Sequence, residues 1–467
     1  MYIKRDIYDK LVDWKNSKSE KALHLEGARQ VGKTYILEKF AKEQYGKKSI
    51  IINLTQKSGE DFLRCYEEVC DWKPGEPRID NYLSRALTLY NPNYEDTRDW
   101  LVVFDEIQES HEIYNEIRSM ARKFKSRFIV TGNDLEIIYN IKNFFLPDGG
   151  TDNLYLELLS FPEFLGAFGL RETYETLDLF GKSEHSDYDE IKKYFDIYLK
   201  IGCYPKIVVS FLQTGNFNEC FSLAQHLINN FVNESFQYLD SVVEMEYFEK
   251  TFTGIALNML REKKGTKDLV SYISKLVFKE ENNKITKNII NQVISWMYKY
   301  NQIGYCSMSV DCNSMEIVCN NRYYFNDLGL AMYFLSKISN DSNVIEGLLC
   351  ENFIYLELCR RIKNHEILGF APWFVTDKKT DGELDFFSIS RKDSNKYGIE
   401  VKRDRNKANT GLSLLERGKI KYLYVLKDTY GGINDNILTV PLYLAGRIKF
   451  DLGNTCEGND LKKCDAF

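Results

Sequence analysis

Eight residues near the start of the chain carry two glycines, a lysine and a threonine at a spacing that could bind phosphate. The glycines let the backbone turn so that successive N–H groups point toward phosphate oxygens, and a following helix adds its positive end. Lys33 can reach the outer phosphates of a nucleotide, and the Thr34 hydroxyl can bind magnesium. The pattern therefore predicts a site for ATP and Mg²⁺. Its residues are Gly27, Ala28, Arg29, Gln30, Val31, Gly32, Lys33 and Thr34.

Two adjacent carboxylates follow a second apolar run, at residues 100–104. Such a run predicts a buried parallel strand whose carboxyl end presents the acids. Asp105 would hold the magnesium ion, usually through a water, and Glu106 would orient and polarise the attacking water. Taken alone, the run also fits a solvated strand end. Next to the phosphate-binding loop it predicts ATP hydrolysis, with Glu106 and Lys33 among the catalytic residues.

A third polar group, Thr131-Gly132-Asn133, follows the apolar run at residues 128–130. Asn133 is our candidate for a residue that senses the terminal phosphate, and the alternative is that it only starts a turn. The strands alternate with helical patterns from the phosphate-binding loop to residue 158. This alternation predicts an α/β fold with a parallel five-stranded sheet, and the ligand lies at the carboxyl ends of its strands.

The second group of residues that could do chemistry lies on a predicted hairpin at residues 382–402. Asp385 is on its first strand, and Glu400 and Lys402 share one face of its second strand because they are two residues apart. Two carboxylates and a lysine suit metal-assisted cleavage of a phosphodiester. The spacing resembles the PD-(D/E)xK nuclease core, which also has an acid on a preceding helix. That resemblance implies Glu351 as the helix acid, with Glu357 as the second choice.

Two alternatives stay open for this C-terminal region. Residues 402–421 are the most basic part of the chain, so a DNA backbone could dock there. Nuclease-like folds also persist as binding or scaffold domains, and alternating Glu-Val-Lys fits any half-exposed strand. The sequence predicts the nuclease-like α/β fold and leaves cleavage of DNA uncertain.

The middle of the chain is predicted to be helical. Two helices and a hairpin at residues 267–325 resemble a winged helix-turn-helix, in which Lys284, Lys287 and Lys299 would contact phosphates. The competing interpretation, which we favour, is a packing module, because isoleucines and a valine recur at core spacing in the second helix. The predicted divisions are an ATP-binding domain at 1–165, a helical lid at 166–250, a winged-helix-like module at 251–335, a nuclease-like domain at 336–450 and a tail at 451–467.

Composition limits the class of protein. The net charge of -6 argues against a protein dominated by nucleic-acid binding, so any such surface must be local. No apolar run is long enough to span a membrane, and the charged residues 1–20 predict no signal segment. The 11 cysteines are scattered without paired spacing, which predicts reduced thiols in the cytoplasm and neither a zinc site nor a disulfide framework.

Four motifs in this order resemble one widespread family. They are Gly-Ala-Arg-Gln-Val-Gly-Lys-Thr, Phe-Asp-Glu-Ile-Gln, Val-Thr-Gly-Asn and Leu-Ser-Phe-Pro-Glu-Phe-Leu. The family is that of bacterial and archaeal AAA-type P-loop ATPases with a C-terminal domain of unknown function that has a restriction-endonuclease-like core. The resemblance covers most of the chain. It implies an ASCE/AAA-type sheet and the usual ATPase roles for Lys33, Thr34, Asp105 and Glu106.

The chain departs from this family at one place. Relatives commonly have a Gly-Arg pair shortly before the fifth strand, and residues 146–151 contain no arginine. If that arginine stabilises transition-state charge, ATP hydrolysis is expected to be slow, since losing such a group costs about 10³-fold or more in rate. Arg127, Arg171 or a partner subunit in a homo-oligomer could supply the charge instead.

Three functions follow from these residues. The first is a Mg²⁺-dependent ATPase coupled to a nuclease-like C-terminal domain that acts on or binds DNA. The second is an ATP-regulated DNA endonuclease. The third is a switch that hydrolyses ATP slowly and binds a protein or DNA partner without cleaving it.

Overall fold

The structure is a computed structural model, and it describes residues 2–71, 81–132, 150–236, 239, 244–280, 283–402 and 408–455. The chain forms two compact units, one from Tyr2 to Leu159 and one from Ser160 onward. The division lies six residues before the predicted boundary at residue 165. Within the described residues, no helix has both the length and the apolar composition that crossing a membrane would require.

The N-terminal unit is built on a five-stranded sheet in which every neighbouring pair is parallel, in the order β2-β3-β4-β1-β5. This confirms the predicted α/β fold and its parallel five-stranded sheet. One strand, β4, separates the strand before the glycine loop from the strand that ends in Asp105. The strands are β1 (Ala22–Glu26), β2 (Ser49–Asn53), β3 (Leu101–Asp105), β4 (Arg127–Thr131) and β5 (Thr151–Tyr155).

Burial in this unit explains why the apolar runs became strands. Every residue of β3 and of β4 is buried, as expected for central parallel strands covered on both faces. Helix α2 buries Ile36, Leu37, Phe40 and Ala41, which recur with the helical period. The helices are α1 (Ile7–Asn16), α2 (Lys33–Gln44), α3 (Lys57–Cys70), α4 (Tyr82–Tyr90), α5 (His111–Asn115) and α6 (Ile117–Lys123), with a short 3-10 helix at Ile107–Glu109.

The second unit begins with helices. Ser160 caps the first of them in a capping box with Glu163, in which each side chain accepts a hydrogen bond from the other residue's backbone N–H. The helices are α7 (Phe161–Ala167), α8 (Arg171–Thr176), α9 (His185–Ile201), α10 (Pro205–Thr214), α11 (Phe217–Ser235), α12 (Met245–Arg261), α13 (Leu269–Leu276), α14 (Lys284–Lys299), α15 (Leu328–Ile338), α16 (Ser342–Lys363), α17 (Asn409–Glu416) and α18 (Leu452–Thr455).

An eight-stranded mixed sheet completes the second unit, in the order β12-β13-β11-β10-β9-β8-β6-β7. The predicted hairpin is present as β9 and β10, which are antiparallel, and β11 follows α17 and runs parallel to β10. The strands are β6 (Ile303–Val310), β7 (Asn313–Phe325), β8 (Trp373–Thr376), β9 (Glu383–Ile389), β10 (Lys396–Lys402), β11 (Tyr422–Lys427), β12 (Gly432–Asn434) and β13 (Ile437–Pro441), and a second 3-10 helix spans Leu442–Arg447.

The hairpin predicted as a wing belongs to this sheet. Strands β6 and β7 pair with each other, and β6 also pairs in parallel with β8 through residues 307–310. A single bridge joins Thr266, between α12 and α13, to Asn321 on β7. The predicted boundary between residues 335 and 336 therefore lies within a unit whose sheet is continuous on both sides of it.

Candidate functional site

The glycine loop lies between β1 and α2 and takes backbone conformations that need glycine. Gly32 precedes α2 with φ of 96°, and Gly27 has φ of 152°. A Cβ at Gly27 would lie 2.5 Å from the carbonyl oxygen of Leu156. Both positions would be strained by any side chain, so the glycines are required by the path of the loop. The loop follows a path that leaves the amino end of α2 open, and a helix end of this kind stabilises an anion.

Lys33 is the first residue of α2, and its ammonium lies over the loop. Its Nζ donates to the carbonyl oxygens of Gly27 at 2.7 Å and Ala28 at 3.1 Å. The side chain thus folds back toward the loop, where phosphates would bind. Arg5 holds the same loop from a distant part of the chain, since its guanidinium donates to the carbonyl oxygen of Val31 at 3.0 Å.

Asp105 at the carboxyl end of β3 is brought to the loop by two neutral donors. The Thr34 hydroxyl donates to Asp105 Oδ2 at 2.6 Å, and the Asn53 amide donates to the same oxygen at 2.9 Å. Burial raises the pKa of Asp105, and the hydrogen bond from Thr34 opposes that rise. Sequence reasoning missed Asn53. It ends β2 and is the register partner of Asp105, which only the order of the strands reveals.

Glu106 follows Asp105 in a left-handed backbone conformation, with φ of 54°. Its N–H donates to Asp105 Oδ1 at 3.1 Å, and its carboxylate accepts a hydrogen bond from the Gln108 amide at 2.7 Å. Non-glycine residues rarely adopt positive φ, and such strain is often found at functional sites. Gln108 is a second residue that sequence reasoning missed, because nothing in the local pattern assigns its side chain to Glu106.

Two further predictions concern the segment between β4 and β5. Asn133, the candidate phosphate sensor, lies outside the described residues. The described Thr131 points back into the sheet and donates to the carbonyl oxygen of Leu25 at 2.7 Å. Most of the arginine-free segment before β5, residues 146–149, also lies outside the described part.

Arg127 cannot supply charge to the nucleotide site of its own chain, so this alternative was wrong. It starts β4, whereas Asp105 ends the neighbouring parallel strand, and the two residues therefore lie at opposite ends of the sheet. Its guanidinium donates to the carbonyl oxygens of Trp14 and Ser19 and lies 4.0 Å from the centre of the Trp14 ring. Arg127 is a structural residue. Arg171, in the other unit, pairs with Glu175.

The residues around the glycine loop fit ATP and Mg²⁺. The open amino end of α2 and the glycine conformations form the cradle that a phosphate group needs. A hydroxyl and a carboxylate converge at 2.6 Å, and hard oxygen ligands of this kind are those that Mg²⁺ prefers. Thr34 and Asp105 would hold the ion, and Lys33 would contact the phosphates.

The C-terminal unit brings the other four predicted residues to one region. Lys402 Nζ lies 2.7 Å from Glu400 Oε2 and 3.4 Å from Asp385 Oδ2, so both carboxylates converge on one ammonium. Asp385 also accepts the backbone N–H of Val401 at 2.8 Å, and Glu400 accepts that of Gly411 at 3.1 Å. Burial and the nearby Asp385 carboxylate raise the pKa of Glu400 to about 7.

Glu351 on α16 lines a pocket together with Asp385. Its carboxylate accepts the Tyr324 hydroxyl at 2.5 Å and lies 3.5 Å from Arg322 Nη1. Arg322 also pairs with Glu383, at 2.7 Å. Arg322 and Tyr324 were missed from the sequence, because β7 was assigned to a separate module. Glu383 was also missed, although it lies on β9 in the predicted hairpin. Glu357, the second choice for the helix acid, pairs instead with Arg360.

These acids do not form a metal-binding set as they are arranged. In the part of the chain that the structure describes, no three Asp, Glu, His or Cys side chains converge in a way that could hold a metal ion. Asp385 and Glu400 meet at Lys402, and Glu351 turns to Arg322 and Tyr324. The predicted nuclease residues are therefore neighbours, but protein cations lie where a metal would be expected.

The basic residues predicted to contact DNA differ in their exposure to solvent and in their carboxylate partners. On α14, Lys284 and Lys299 are exposed and Lys287 is half-buried, while seven other residues of the helix are buried. Of the basic stretch at residues 402–421, residues 403–407 lie outside the described part. Within the rest, Lys402 contacts two carboxylates and Arg417 pairs with buried Asp377 at 2.7 Å. Two of the four basic residues described in this stretch are thus paired with carboxylates of the protein.

Two protein families match parts of the chain. Residues 19–165 match the family described as AAA domain, and residues 192–342 match a domain of unknown function (DUF8612). No curated protein matches the chain. The first match covers the glycine loop and the Thr34–Asp105 contact, so the residues of the candidate nucleotide site lie in a segment similar to an AAA domain. The second match ends before Glu351, so it does not cover the predicted nuclease residues.

Solved structures give weaker similarity. The ORC2 protein of Aeropyrum pernix in its ADPNP–ADP complexes is 12% identical, with 75% of this chain and 94% of that chain covered and a TM-score of 0.37. The replication initiator DnaA bound to AMPPCP and single-stranded DNA is 13% identical, with 64% and 92% covered and a TM-score of 0.32. The Cdc6p structure from Pyrobaculum aerophilum is 12% identical, with 75% and 97% covered and a TM-score of 0.28. Scores this low assign no function to the chain.

Proposed function

We propose that this protein binds ATP with Mg²⁺ in its N-terminal domain and hydrolyses it, and that the nucleotide controls what the C-terminal unit does. The observation that carries the proposal is the 2.6 Å contact between the Thr34 hydroxyl and Asp105 beside a phosphate-binding loop. Such a pair forms where a nucleotide-bound metal is to be held by a hydroxyl and a carboxylate.

Each residue has a distinct part in this reaction. Backbone N–H groups of residues 27–34 and the Lys33 ammonium stabilise negative charge on the phosphates. Thr34 and Asp105 would hold Mg²⁺, which would neutralise charge that develops on the phosphate oxygens. Glu106 orients the attacking water and accepts its proton. The hydrogen bond from Gln108 occupies one of its carboxylate oxygens, Oε2. Asn133 remains the candidate sensor of the terminal phosphate.

A source of positive charge for the transition state belongs to the proposal. Since Arg127 lies at the far end of the sheet, Arg171 or an arginine of a second copy remains. A second copy would make turnover per molecule rise with protein concentration. Measuring the turnover rate over a wide range of protein concentrations tests this, and a constant rate together with full activity of Arg171→Ala would exclude both sources.

The experiment that tests the ATPase proposal uses Glu106→Gln. Loss of the general base should lower the rate of ATP turnover by about 10² to 10⁴-fold and leave ATP affinity nearly unchanged. Glu109→Gln is the matched control, because Glu109 is exposed three residues away, and it should behave like the wild type. Equal turnover in Glu106→Gln and the control would contradict the role of Glu106.

An ATP-regulated DNA endonuclease is the second candidate. It is favoured by the placement of Asp385, Glu400 and Lys402 on adjacent strands with Glu351 across the pocket, as in the PD-(D/E)xK pattern. Nicking of supercoiled DNA in the presence of Mn²⁺ and ATP should be lost in Asp385→Ala. Glu357→Ala is the comparison, since Glu357 pairs with Arg360. Uncut DNA with every metal and every DNA form would count against this candidate.

The third candidate is a switch that binds ATP and a partner without cleaving DNA. It predicts tight ATP binding with negligible turnover, and robust turnover without any partner would contradict it.

DNA contact through the basic stretch at residues 402–421 and location in the cytoplasm complete the proposal. The local positive charge supports DNA contact, and the scattered cysteines support a cytoplasmic location.

A further inference from the structure

The C-terminal acidic centre contains its own cations. Among the described residues, two cationic side chains, Arg322 and Lys402, contact four carboxylates, those of Glu351, Glu383, Asp385 and Glu400. Lys402 contacts Asp385 on β9 and Glu400 on β10. Arg322 joins the other two and reaches them from β7, an edge strand of the sheet. Lys402 was expected at this place from the sequence, whereas Arg322 was not.

Arg322 is fixed in its position by several contacts. Its Nε donates to the carbonyl oxygen of Lys263 at 2.5 Å, and its Nη2 pairs with Glu383 at 2.7 Å. The guanidinium lies 4.2 Å from the centre of the Phe374 ring, and only 7% of the residue is exposed. A planar guanidinium held on three sides is pre-organised, so it loses little conformational freedom when it contacts carboxylates.

A second residue of the same strand holds Glu351. Tyr324 is two residues from Arg322 and therefore lies on the same face of β7. Its hydroxyl donates at 2.5 Å to Glu351 Oε1, the oxygen that also lies 3.5 Å from Arg322 Nη1. One strand thus presents both a cation and a hydroxyl to the acid that the nuclease pattern assigns to metal binding. Glu351 is thus held by Arg322 and Tyr324, whereas Asp385 and Glu400 are held by Lys402.

The charged groups around Arg322 come from two elements and from the segment that follows α12. Glu351 lies on α16, Glu383 and Asp385 lie on β9, and Glu262 and Lys263 follow α12 at the rim of the pocket. An arginine guanidinium stays protonated in proteins, so Arg322 is a permanent positive charge among these acids.

We propose that Arg322 is a built-in counter-ion: it contacts Glu351 and Glu383 in the pocket that Asp385 also lines, takes the place of a divalent cation there and keeps the metal affinity of this centre low. The proposal rests on the nuclease-like centre proposed above and adds a regulatory residue to it. It explains why the predicted metal ligands are neighbours without forming a metal-binding set.

A purely structural ion pair makes a different prediction. If Arg322 only stabilises the fold, its removal lowers stability and leaves metal affinity unchanged. If it is a counter-ion, removal of its charge raises the affinity for a divalent cation, because the carboxylates then lack a cation and repel one another. Metal binding therefore separates the two roles, independently of any nuclease activity.

The experiment measures Mn²⁺ binding to the full chain without nucleotide, by titration calorimetry or by the electron paramagnetic resonance signal of free Mn²⁺. Arg322→Gln keeps a polar side chain and removes the charge. Each form is compared with its Asp385→Asn derivative, so that only binding through this centre is counted and Mn²⁺ at Asp105 is subtracted. We expect binding in Arg322→Gln to be at least about tenfold tighter than in the wild type.

Arg361→Gln is the matched control, because Arg361 is also a buried arginine paired with a glutamate, Glu366, at 2.7 Å. It should not change Mn²⁺ binding through Asp385. If Arg322→Gln does not fold, Arg322→Lys provides the test, since a single ammonium reaches fewer acids than the guanidinium fork and should give an intermediate gain.

Three results would overturn the proposal. Unchanged or weaker Asp385-dependent binding in Arg322→Gln would show that Arg322 is structural. Tight Asp385-dependent binding in the wild type would also overturn it, while supporting the nuclease-like centre. If Asp385-dependent binding occurs in neither form, the centre binds no metal, and the endonuclease candidate fails together with the inference. The ATPase proposal is unaffected by any of these results.

Discussion

The two candidate sites place similar residues in opposite electrostatic settings. Both have an acid on one strand and a neighbouring lysine. At the ATP site, Asp105 accepts hydrogen bonds from a hydroxyl and an amide, which are neutral. In the C-terminal centre, Asp385 and Glu400 contact the Lys402 ammonium. Neutral donors leave the negative charge of an acid for a metal ion, whereas a protein cation neutralises it.

This difference shows why residue identity alone does not define a metal site. An acid is a useful ligand when its partners orient it without cancelling its charge, as second-shell partners do. Asn53 and Thr34 orient Asp105 in this way. Arg322 and Lys402 orient their carboxylates as well, but they also supply the positive charge that a metal would bring. The same comparison predicts how each site should respond to substitution.

The largest effect is expected when the ATP site is given the electrostatics of the C-terminal centre. Asn53→Lys places an ammonium beside Asp105, since the two residues are register partners on adjacent strands. The Mg²⁺ concentration needed for half-maximal ATP turnover should rise on the order of 10²-fold, because one charge now opposes the metal at close range. A Mg²⁺ titration of the ATPase rate measures this.

Asn53→Ala is the control, because it removes the amide without adding charge. It should shift the Mg²⁺ requirement much less than Asn53→Lys. Equal shifts in both variants would show that loss of the amide, and not the added charge, is responsible, and the comparison between the two sites would fail.

A smaller effect is expected from the hydroxyl of Thr34. Thr34→Ala removes a donor to Asp105 and the candidate Mg²⁺ ligand. The Mg²⁺ requirement should rise about tenfold, the size expected for one hydrogen bond to a charged group. Thr34→Ser keeps the hydroxyl and should stay close to the wild type. A Mg²⁺ requirement in Thr34→Ala equal to that in Thr34→Ser would remove Thr34 from the metal site.

The smallest effect concerns Tyr324 in the C-terminal centre. Tyr324→Phe removes the hydroxyl that holds Glu351 and leaves Arg322 in place. Its free energy of unfolding should fall by about 1 kcal/mol, the usual value for one hydrogen bond, as measured by chemical denaturation. The gain in Mn²⁺ affinity should be smaller than in Arg322→Gln. A larger gain would make the tyrosine, and not the arginine, the group that controls Glu351.

Local pattern was sufficient to predict the elements of the ATP site. The apolar runs before Gly27 and Asp105 became strands, and helix α2 buries the face that its spacing indicated. Asn53 could not be found in this way. It lies 52 residues from Asp105 in the chain, and only the side-by-side placement of β2 and β3 brings the two together. Gln108 was missed because its contact depends on the left-handed turn at Glu106.

The C-terminal centre was also predictable in part from local pattern. Asp385, Glu400 and Lys402 belong to one hairpin, so their proximity follows from pairing over a short distance. Arg322 lies 61 residues from Glu383 and enters the centre from a strand that the sequence assigned to a winged helix. No local pattern indicates that β6 joins β8 in one sheet, since parallel pairing depends on the tertiary fold.

The rate of ATP turnover in Lys33→Ala tests the central claim most directly. Lys39→Ala is the matched control, because Lys39 lies on the same helix and pairs with Glu43 at 2.6 Å. With saturating Mg²⁺, Lys33→Ala should lose at least about 10²-fold in turnover, since a positive charge at the phosphates is removed. Lys39→Ala should remain close to the wild type. Turnover in Lys33→Ala equal to that of the control would contradict ATP hydrolysis at this loop.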